Sequence, residues 1–324
     1  MENWRRQVLS GSNVGLLEML QCLGRIYRMW DQAGSSGIIF APENLSMPTT
    51  KIALIGAGGK MGLRLSENLK KTTYSTSHVE ISPSGKAALE ARGFAVSTTE
   101  EALDQADVVI LAVPDNAIGA IAGKMEPSLR PGTMLMCLDA AAPYAGHLPK
   151  RGDLVYFVTH PCHPPVVSVE ETPEAQLDFF GGVHAPQAIV CALMQGPEHA
   201  YALGEAVARA IFAPVMRAHR CTVEQIAILE PALSETVTAT CVTIIREATD
   251  EAIRLGVPRE AAFDFVLGHL KVEIGIVFQL FEGARFSDGA LHAIQAAKGE
   301  IFQPGWKKVF QPEAIARSIQ DICR

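Results

Sequence analysis

The sequence predicts an α/β protein in which a doubly wound parallel sheet is followed by an all-helical C-terminal domain. From residue 51 to about 220, short apolar runs alternate with amphipathic segments of helical period, which is the pattern of strands and crossover helices. From 221 to 324 the strand-like runs stop and long helical segments follow one another. We therefore expect a sheet domain over 51–220 and a helical domain over 221–324.

A glycine-rich turn joins the first predicted strand to the first predicted helix. The apolar run 52–55 leads into GAGGKMG. Gly56 permits a sharp turn, Gly58 or Gly59 lets backbone amides approach a pyrophosphate, and Gly62 lets the helix pack closely on the strand. With the positive end of the helix, the turn predicts the phosphate cradle of a Rossmann-type dinucleotide-binding unit, although an ordinary strand-to-helix turn uses similar glycines. The predicted cofactor-binding residues here are Gly56, Gly58, Gly59, Lys60, Met61 and Gly62.

Two later residues extend the predicted dinucleotide site. Glu80 lies near the end of the second predicted strand, 78–81, and an acid there binds the hydroxyls of the adenosine ribose and repels a 2′-phosphate. Glu80 therefore favours NAD over NADP. NADP remains open, because groups that suit a phosphate follow at Ser82, Ser84 and Lys86. Pro114 directly follows the predicted strand 107–113 at the carboxyl edge of the sheet, where the ligand crevice of an open parallel sheet lies.

Composition excludes several classes of function. The net charge of −7 argues against nucleic acid or an anionic membrane as the main partner. No uninterrupted apolar stretch reaches about 18 residues, so the sequence predicts no membrane span. The seven cysteines are scattered and form no C-x-x-C pair, which favours a reducing, cytoplasmic environment. Residues 1–46 precede the first strand, and we expect them to be a poorly ordered extension without a catalytic role.

The stretch THPCHPP, residues 159–165, is the first candidate for chemistry. It follows a predicted strand at the edge of the sheet where the nicotinamide should project, and its prolines restrict the backbone that carries His160 and His163. The two imidazoles suit metal ligation or proton transfer, whereas the alternative is a stiff loop with capped histidines. Cys162 lies between them, and we interpret it as structural because nothing nearby in the sequence lowers its pKa.

A second candidate lies on the long predicted helix 222–255. Glu230 occupies an apolar run directly before Pro231, which should bend the helix. A carboxylate in such a run is either solvated or buried with a partner, and a divalent cation shared with a histidine of the sheet domain would be that partner. We expect Glu235 to point elsewhere around the helix as a surface charge. Lys271 is a candidate anchor for a substrate carboxylate, unless its ammonium simply reaches water.

These motifs together resemble those of the D-apionate oxidoisomerase family, within the superfamily of β-hydroxyacid, 6-phosphogluconate and ketol-acid dehydrogenases. The resemblance rests on GAGGKMG, HPCHPP and AILEPALSETVTATCVTIIREATDEAIRLGVP, and it covers roughly 51–324. It implies NAD-dependent oxidation of D-apionate, a branched sugar acid, at C2, followed by isomerisation to 3-oxo-isoapionate. The two carboxylate pairs that hold two magnesium ions in ketol-acid reductoisomerases are not found in this sequence.

The resemblance and the donor types together suggest roles for the candidate residues. His160 and Glu230 are expected to hold a divalent metal, with zinc or manganese suited to mixed imidazole and carboxylate ligands, and His163 to act as a base or to position the ligands. A homodimer is expected by analogy with related folds. The alternatives are a simple NAD(P)-dependent 3-hydroxyacid or 6-phosphogluconate-like dehydrogenase without rearrangement, and a regulator that senses the NAD/NADH ratio.

Overall fold

An eight-stranded sheet forms the centre of the molecule. The computed structural model describes residues 49–324 except 169 and 171, so the extension predicted for residues 1–46 lies outside the described residues. The strand order is β3-β2-β1-β4-β5-β6-β7-β8, and neighbouring strands are parallel except for the antiparallel pair β6–β7. The strands are β1 Lys51–Ile55, β2 Ser75–Val79, β3 Val96–Ser97, β4 Val108–Leu111, β5 Met134–Cys137, β6 Val155–Pro161, β7 Gln187–Gln195 and β8 Val215–Arg220.

Helices connect the strands and then continue alone after the sheet ends. Those of the sheet region are α1 Lys60–Leu69, α2 Pro83–Glu90, α3 Thr99–Leu103, α4 Asp115–Met125, α5 Ala141–Tyr144, α6 Pro173–Gln176 and α7 Ala200–Ile211. Those that follow are α8 Val223–Ala227, a π-helix Ile228–Ala239, α9 Thr240–Arg254, α10 Arg259–Val277, α11 Asp288–Ile301 and α12 Pro312–Ile322. The predicted fold class, a doubly wound sheet followed by helices, is confirmed, whereas the domain boundary near residue 220 stays a prediction.

Both faces of the central strands β1, β4 and β5 are buried, which explains why these strands read as continuous apolar runs. Alternate residues of β1 belong to different layers: Ala53 packs with Val109 on one face, and Leu54 packs with Ile110 on the other. Helices α4 and α12 contribute to the first layer, and α1 and α7 contribute to the second. The two covered faces hold the carboxyl ends of the parallel strands in fixed positions, and the candidate site lies at those ends.

The register of the last strands sets where the helical region begins. Cys191 of β7 pairs with Thr159 of β6 on one side and with Arg220 of β8 on the other, so these three residues lie in one row across the sheet. Because Arg220 ends β8, the chain leaves the sheet at the level of Thr159. The helical segment that starts at Val223 therefore begins beside the end of β6 that carries the histidines.

One helical segment departs from the sequence expectation about membranes. By length and composition alone, Val223–Arg254 is long and apolar enough to cross a membrane, although only 11% of its most apolar window is buried in the structure. Within this segment, Glu230 contacts the sheet region through His160, while Val242 and Ile244 are exposed. The segment therefore combines a polar contact at the site with an apolar surface that the described residues leave uncovered.

Candidate active site

The glycine turn between β1 and α1 is closely packed. Gly56 has φ +78°, in the left-handed region that favours glycine, and a Cβ there would overlap the Ala112 carbonyl oxygen. A Cβ on Gly58 would lie 2.5 Å from Gly85 Cα, and a Cβ on Gly62 would overlap the Gly56 carbonyl oxygen. Packing within the protein therefore requires these three glycines.

Gly59 is different, because packing among the described residues does not require it. A Cβ there would lie 3.4 Å from the Gly56 carbonyl oxygen and, apart from its chain neighbours, within 4 Å of nothing else. Its φ of −71° and ψ of 168° suit any residue. Gly59 precedes α1 and lines two cavities, so its missing side chain leaves room for a ligand at the positive end of the helix. The turn thus fits a dinucleotide pyrophosphate.

Glu80 directly follows β2 and lines the first cavity, which has a volume of about 620 Å³. Its Oε2 accepts the N–H of Gly58 at 2.9 Å, and its Oε1 accepts the N–H groups of Ile81 and Ser82, each at 2.8 Å. Burial raises the pKa of this carboxyl, but these hydrogen bonds outweigh burial and leave the pKa below its ordinary value. Glu80 is therefore an anion at the place where the ribose hydroxyls would bind. Pro114, the other predicted residue, lines the same cavity.

A second cavity, the inner cavity, continues from the first and has a volume of about 320 Å³. Gly59 and Pro114 line both cavities, so a ligand with its ribose at Glu80 and its pyrophosphate at Gly59 would extend into the inner one. Of these two cavities, Lys60 and Met61 line only the inner one, and the buried Gly62 lines neither. Lys60 also lines a separate cavity together with Arg64. Two carboxylates that the sequence analysis did not single out also line the inner cavity, at Asp115 and Asp139.

His160 links this cavity to the helical region. Its Nδ1–H donates to the Leu138 carbonyl oxygen at 2.9 Å, and Asp139 Oδ2 lies 3.3 Å from the same nitrogen. On the other side of the ring, Nε2 lies 3.3 Å from Glu230 Oε2. Burial lowers the pKa of His160, but the hydrogen bond to Asp139 and the charge of Glu230 outweigh it, so the pKa is raised. Ligand atoms of Asp139, His160 and Glu230 all lie within 4.8 Å of one another.

Strand register brings Asp139 to His160. Cys137 at the end of β5 pairs with Val158 of β6, and each of the two site residues lies two positions further along its strand direction. Because carboxyl ends of adjacent parallel strands meet at one edge, the two side chains become neighbours. An acid two residues after a predicted buried strand could have indicated Asp139 as a site residue. The sequence, however, does not show which strands are adjacent.

The π-helix determines which carboxylates reach the site. Hydrogen bonds five residues apart mark this geometry: Thr236 Oγ1 donates to the Pro231 carbonyl oxygen at 2.6 Å, and Thr238 Oγ1 donates to the Leu233 carbonyl oxygen at 2.9 Å. The same five-residue spacing separates the two glutamates of the segment, so it places them near each other along the helix. In an α-helix, which the sequence predicts for this segment, residues five apart point in different directions.

Glu235 consequently lies close enough to the site to feel its charges, although its side chain is exposed, as expected. Burial and the charges of Glu230 and Asp139 raise its pKa. Asp115 completes a group of four carboxylates: burial raises its pKa to about 6, the charge of Asp139 adds to this, and its Oδ1 is buried without a hydrogen-bond partner among the described residues.

His163 lies beside His160 but outside the cluster with Glu230. The two ring centroids are 6.2 Å apart and the rings are nearly perpendicular, at 86°. His163 has φ +60°, an uncommon conformation for a residue with a side chain, and its Nδ1–H donates to the Phe180 carbonyl oxygen at 2.9 Å. Cys162, between the histidines, is exposed, yet partial burial of the thiol raises its pKa. The structure thus gives Cys162 no thiolate character.

The site therefore consists of a dinucleotide cavity that leads to an imidazole surrounded by carboxylates. Such a cluster can hold a divalent cation or transfer a proton. Family models match both parts of the chain: residues 46–147 match the NADPH-binding domain of acetohydroxy acid isomeroreductase, and residues 168–323 match the C-terminal domain of decarboxylating phosphogluconate dehydrogenase.

Full-length relatives narrow the assignment. A D-apionate oxidoisomerase from Cupriavidus necator is 56% identical over 273 residues, which is 84% of this chain and 99% of that protein. A D-apionate oxidoisomerase from Rhizobium rhizogenes is 54% identical over 274 residues, again 84% and 99%. The chain belongs to the D-apionate oxidoisomerase family. The family resemblance inferred from the motifs is thereby confirmed.

A solved structure agrees with the D-apionate oxidoisomerase family assignment. The crystal structure of a semialdehyde dehydrogenase NAD-binding protein from Cupriavidus necator, in complex with calcium and NAD, is 55% identical with a TM-score of 0.83, and the match covers 85% of this chain and 99% of that one. This chain is therefore an oxidoreductase with a dinucleotide-binding sheet, as its sequence predicted. The roles of the individual site residues stay predictions.

Proposed function

We propose that this enzyme oxidises D-apionate at C2 with NAD as the hydride acceptor and isomerises the product to 3-oxo-isoapionate. The observation that carries the proposal is the cluster of Asp139, His160 and Glu230, because its Asp139 lines the inner cavity that continues from the dinucleotide cradle. The relatives named D-apionate oxidoisomerase support the choice of substrate.

The anionic Glu80 supports NAD over NADP. Its carboxylate lines the adenosine end of the dinucleotide cavity and would repel a 2′-phosphate, whereas it would accept hydrogen bonds from two ribose hydroxyls. Its hydrogen bonds to three backbone amides keep it charged at neutral pH, so the repulsion persists where the enzyme works. The family model for this region describes an NADPH-binding domain, and Glu80 is the feature that favours the other cofactor.

The oxidation requires a base and a hydride acceptor. NAD supplies the hydride acceptor, and we assign the base to His163. Its Nδ1–H is held by the Phe180 carbonyl oxygen, so the neutral ring keeps a lone pair on Nε2. The C2 hydroxyl gives its proton to that nitrogen while the C2 hydrogen leaves with the bonding electron pair, and C2 becomes a ketone.

The rearrangement uses the tertiary hydroxyl at C3. When this hydroxyl loses its proton, one hydroxymethyl group migrates from C3 to C2 with its bonding electrons, C3 becomes a ketone, and the C2 oxygen gains a proton. The formula does not change in this half. The carboxylates that line the inner cavity and the imidazoles beside them hold and return the proton.

The cluster also fits a divalent metal. Hydrogen bonding to Leu138 fixes Nδ1 of His160 as the protonated nitrogen, so Nε2 is the ligand atom, and Glu230 Oε2 lies beside it. Asp139 orients the imidazole from its other side. One imidazole with carboxylates suits zinc or manganese, and such an ion would supply a Lewis acid for the hydroxyl and ketone oxygens of the substrate.

Turnover of D-apionate tests the proposal directly. The full chain incubated with NAD and D-apionate should form NADH and a product whose carbon connectivity, measured by NMR, is that of 3-oxo-isoapionate. His160→Ala should lower kcat by at least about 100-fold, because it removes the centre of the cluster, while the Kd for NADH stays within about twofold. Chelation of the metal should abolish turnover, and subsequent addition of zinc or manganese should restore it.

Two outcomes would contradict this assignment. A product with an unrearranged skeleton, or one that has lost its carboxylate, would select the simple dehydrogenase that the sequence left open. Full turnover after chelation would remove the metal from the mechanism but keep the oxidation. Lys124→Ala is a matched control, because this exposed residue lies on α4 at the end remote from Asp115 and should leave kcat unchanged.

The helical region supports a homodimer. Many large apolar side chains of the described helices are exposed, and we propose that a second copy of the chain covers them. A groove of about 550 Å³ between α9 and α10 lies among them. The most exposed members are Leu255, Phe265, Leu267, Val277 and Phe278.

A further inference from the structure

The inner cavity is rich in negative charge, which poses a problem for an acidic substrate. Asp115 and Asp139 line the cavity, and Glu230 and Glu235 lie beyond His160. Even with a divalent cation in the cluster, these carboxylates oppose the approach of a sugar acid, whose own carboxylate is ionised near neutral pH. A cation elsewhere on the cavity wall would offset this repulsion.

Lys60 is the one cationic side chain among the described residues that line the inner cavity. Its Nζ lies 4.4 Å from the centroid of the Phe180 ring, and no described carboxylate lies within ion-pair distance of it. An ammonium over an aromatic face is stabilised without being neutralised, so its charge remains available to an anion. Arg64, one turn further along α1, lies 5.5 Å from the same ring but does not line the inner cavity.

Phe180 also connects Lys60 to the histidines. Its carbonyl oxygen accepts the Nδ1–H of His163, and the His163 ring lies 6.0 Å from the Phe180 ring. The ammonium and the proposed base are thus held by the side chain and the main chain of one residue. The backbone of Lys60 begins α1 directly after Gly59, so the residue stands between the cradle and the cluster.

We propose that the Lys60 ammonium binds the carboxylate of the substrate and makes the enzyme select sugar acids over neutral polyols. This inference rests on the proposed function, and it assigns to the side chain a role distinct from that of the Lys60 backbone in the cradle. With its carboxylate bound at Lys60, the substrate would direct its hydroxyls toward the cluster of Asp139, His160 and Glu230. Lys271, the anchor candidate from the sequence, is exposed on α10 and lines neither dinucleotide cavity.

Binding measurements on the NADH-loaded enzyme test the role of Lys60. Lys60→Met should weaken D-apionate binding, measured by titration calorimetry at saturating NADH, by about 10- to 100-fold, because a charge-assisted contact is lost. Lys60→Arg should recover most of this affinity. Arg64→Met is the matched control, since it removes a cation from the same Phe180 ring without touching the cavity, and it should change the affinity less than threefold. The neutral amide of apionate should bind equally to the wild type and to Lys60→Met.

The competing role for Lys60 is contact with the cofactor pyrophosphate. If the Kd for NADH rises about 10-fold or more in Lys60→Met while apionate affinity at saturating NADH is unchanged, the side chain serves the cofactor and the inference is overturned. Failure of the proposed function gives a different result: the wild type would not turn over D-apionate, yet Lys60→Met would still bind sugar acids more weakly than the wild type.

Discussion

At the residue scale, the glycines of the turn have two different functions. Gly56, Gly58 and Gly62 are required by contacts within the protein, whereas Gly59 faces the two ligand cavities. All four look alike in the sequence, because a glycine pattern gives no information on whether a side chain would meet protein or ligand. The structure separates them by what a Cβ would contact.

Replacement of Gly59 by alanine should therefore impair cofactor binding and spare the fold. The new methyl group meets only an ordinary contact at 3.4 Å within the protein, so the free energy of unfolding should change by less than about 1 kcal/mol. The Kd for NADH, measured by fluorescence titration, should rise at least about 10-fold, because the methyl group occupies space at the helix N-terminus that the pyrophosphate needs.

The control for this substitution is Gly123→Ala on α4, where a Cβ would meet nothing within 4 Å. Alanine is the better helix former, so this variant should be more stable by about 0.5–1 kcal/mol and bind NADH normally. Unchanged NADH affinity in Gly59→Ala would mean that the cofactor does not approach the turn at this residue.

The position of Asp139 beside His160 could not be predicted from the sequence. His160 and Glu230 were singled out from local context, a proline-rich loop and an apolar helix, and the structure places them 3.3 Å apart. Asp139 has no unusual neighbours in the chain. Its place beside His160 follows only from the pairing of β5 with β6, which is a property of the sheet and not of the local sequence.

At the element scale, the π-helix is a feature that the sequence indicated only in part. Pro231 correctly suggested an irregularity in the long helix. Helical pitch, however, depends on which carbonyl each N–H finds, and the apolar pattern of this segment does not distinguish four-residue from five-residue spacing. The prediction that Glu235 is a surface charge agrees with its exposure, but the charges of Glu230 and Asp139 still raise its pKa.

Pro231→Ala should raise the stability of the protein and lower its activity. Proline within a helix costs up to about 3 kcal/mol relative to alanine, so the variant should unfold at a higher denaturant concentration. The restored N–H favours α-helical spacing, which would rotate Glu230 away from His160 and lower kcat by at least about 10-fold. Pro258→Ala is the control, since Pro258 only precedes α10 and is exposed. A Pro231→Ala enzyme with reduced stability and full kcat would contradict this account.

At the scale of the whole molecule, the sheet could be predicted well and its last strands less well. Alternation of strands and helices gave the doubly wound core, since both faces of each strand must be apolar when helices cover them. The antiparallel pairing of β6 with β7 was not predicted, because the direction of a strand is not encoded in its apolar residues. After that reversal, β7 and β8 both run away from the end of β6 that carries His160, but β8 already ends at the level of Thr159, so the helical region begins close to the site.

The proposed dimer belongs to this scale as well. Sedimentation equilibrium at micromolar concentration should give about twice the mass of the 34.8 kDa chain. Phe265→Asp, which places a charge at the groove between α9 and α10, should shift the equilibrium toward the monomer by at least about 10-fold in Kd. Ile81→Asp is the control, because Ile81 is equally apolar and exposed but lies in the sheet region. A monomeric wild type would contradict the proposal.

The two ends of the sheet limit how copies of this protein can associate. β3, at one end, has only two residues and offers little main chain for a further strand. β8, at the other end, presents exposed Arg217, His219 and Arg220. Short and charged border strands discourage edge-to-edge growth into β-aggregates. At high protein concentration, the sheet edges therefore disfavour association into fibres, even though many large apolar side chains are exposed elsewhere.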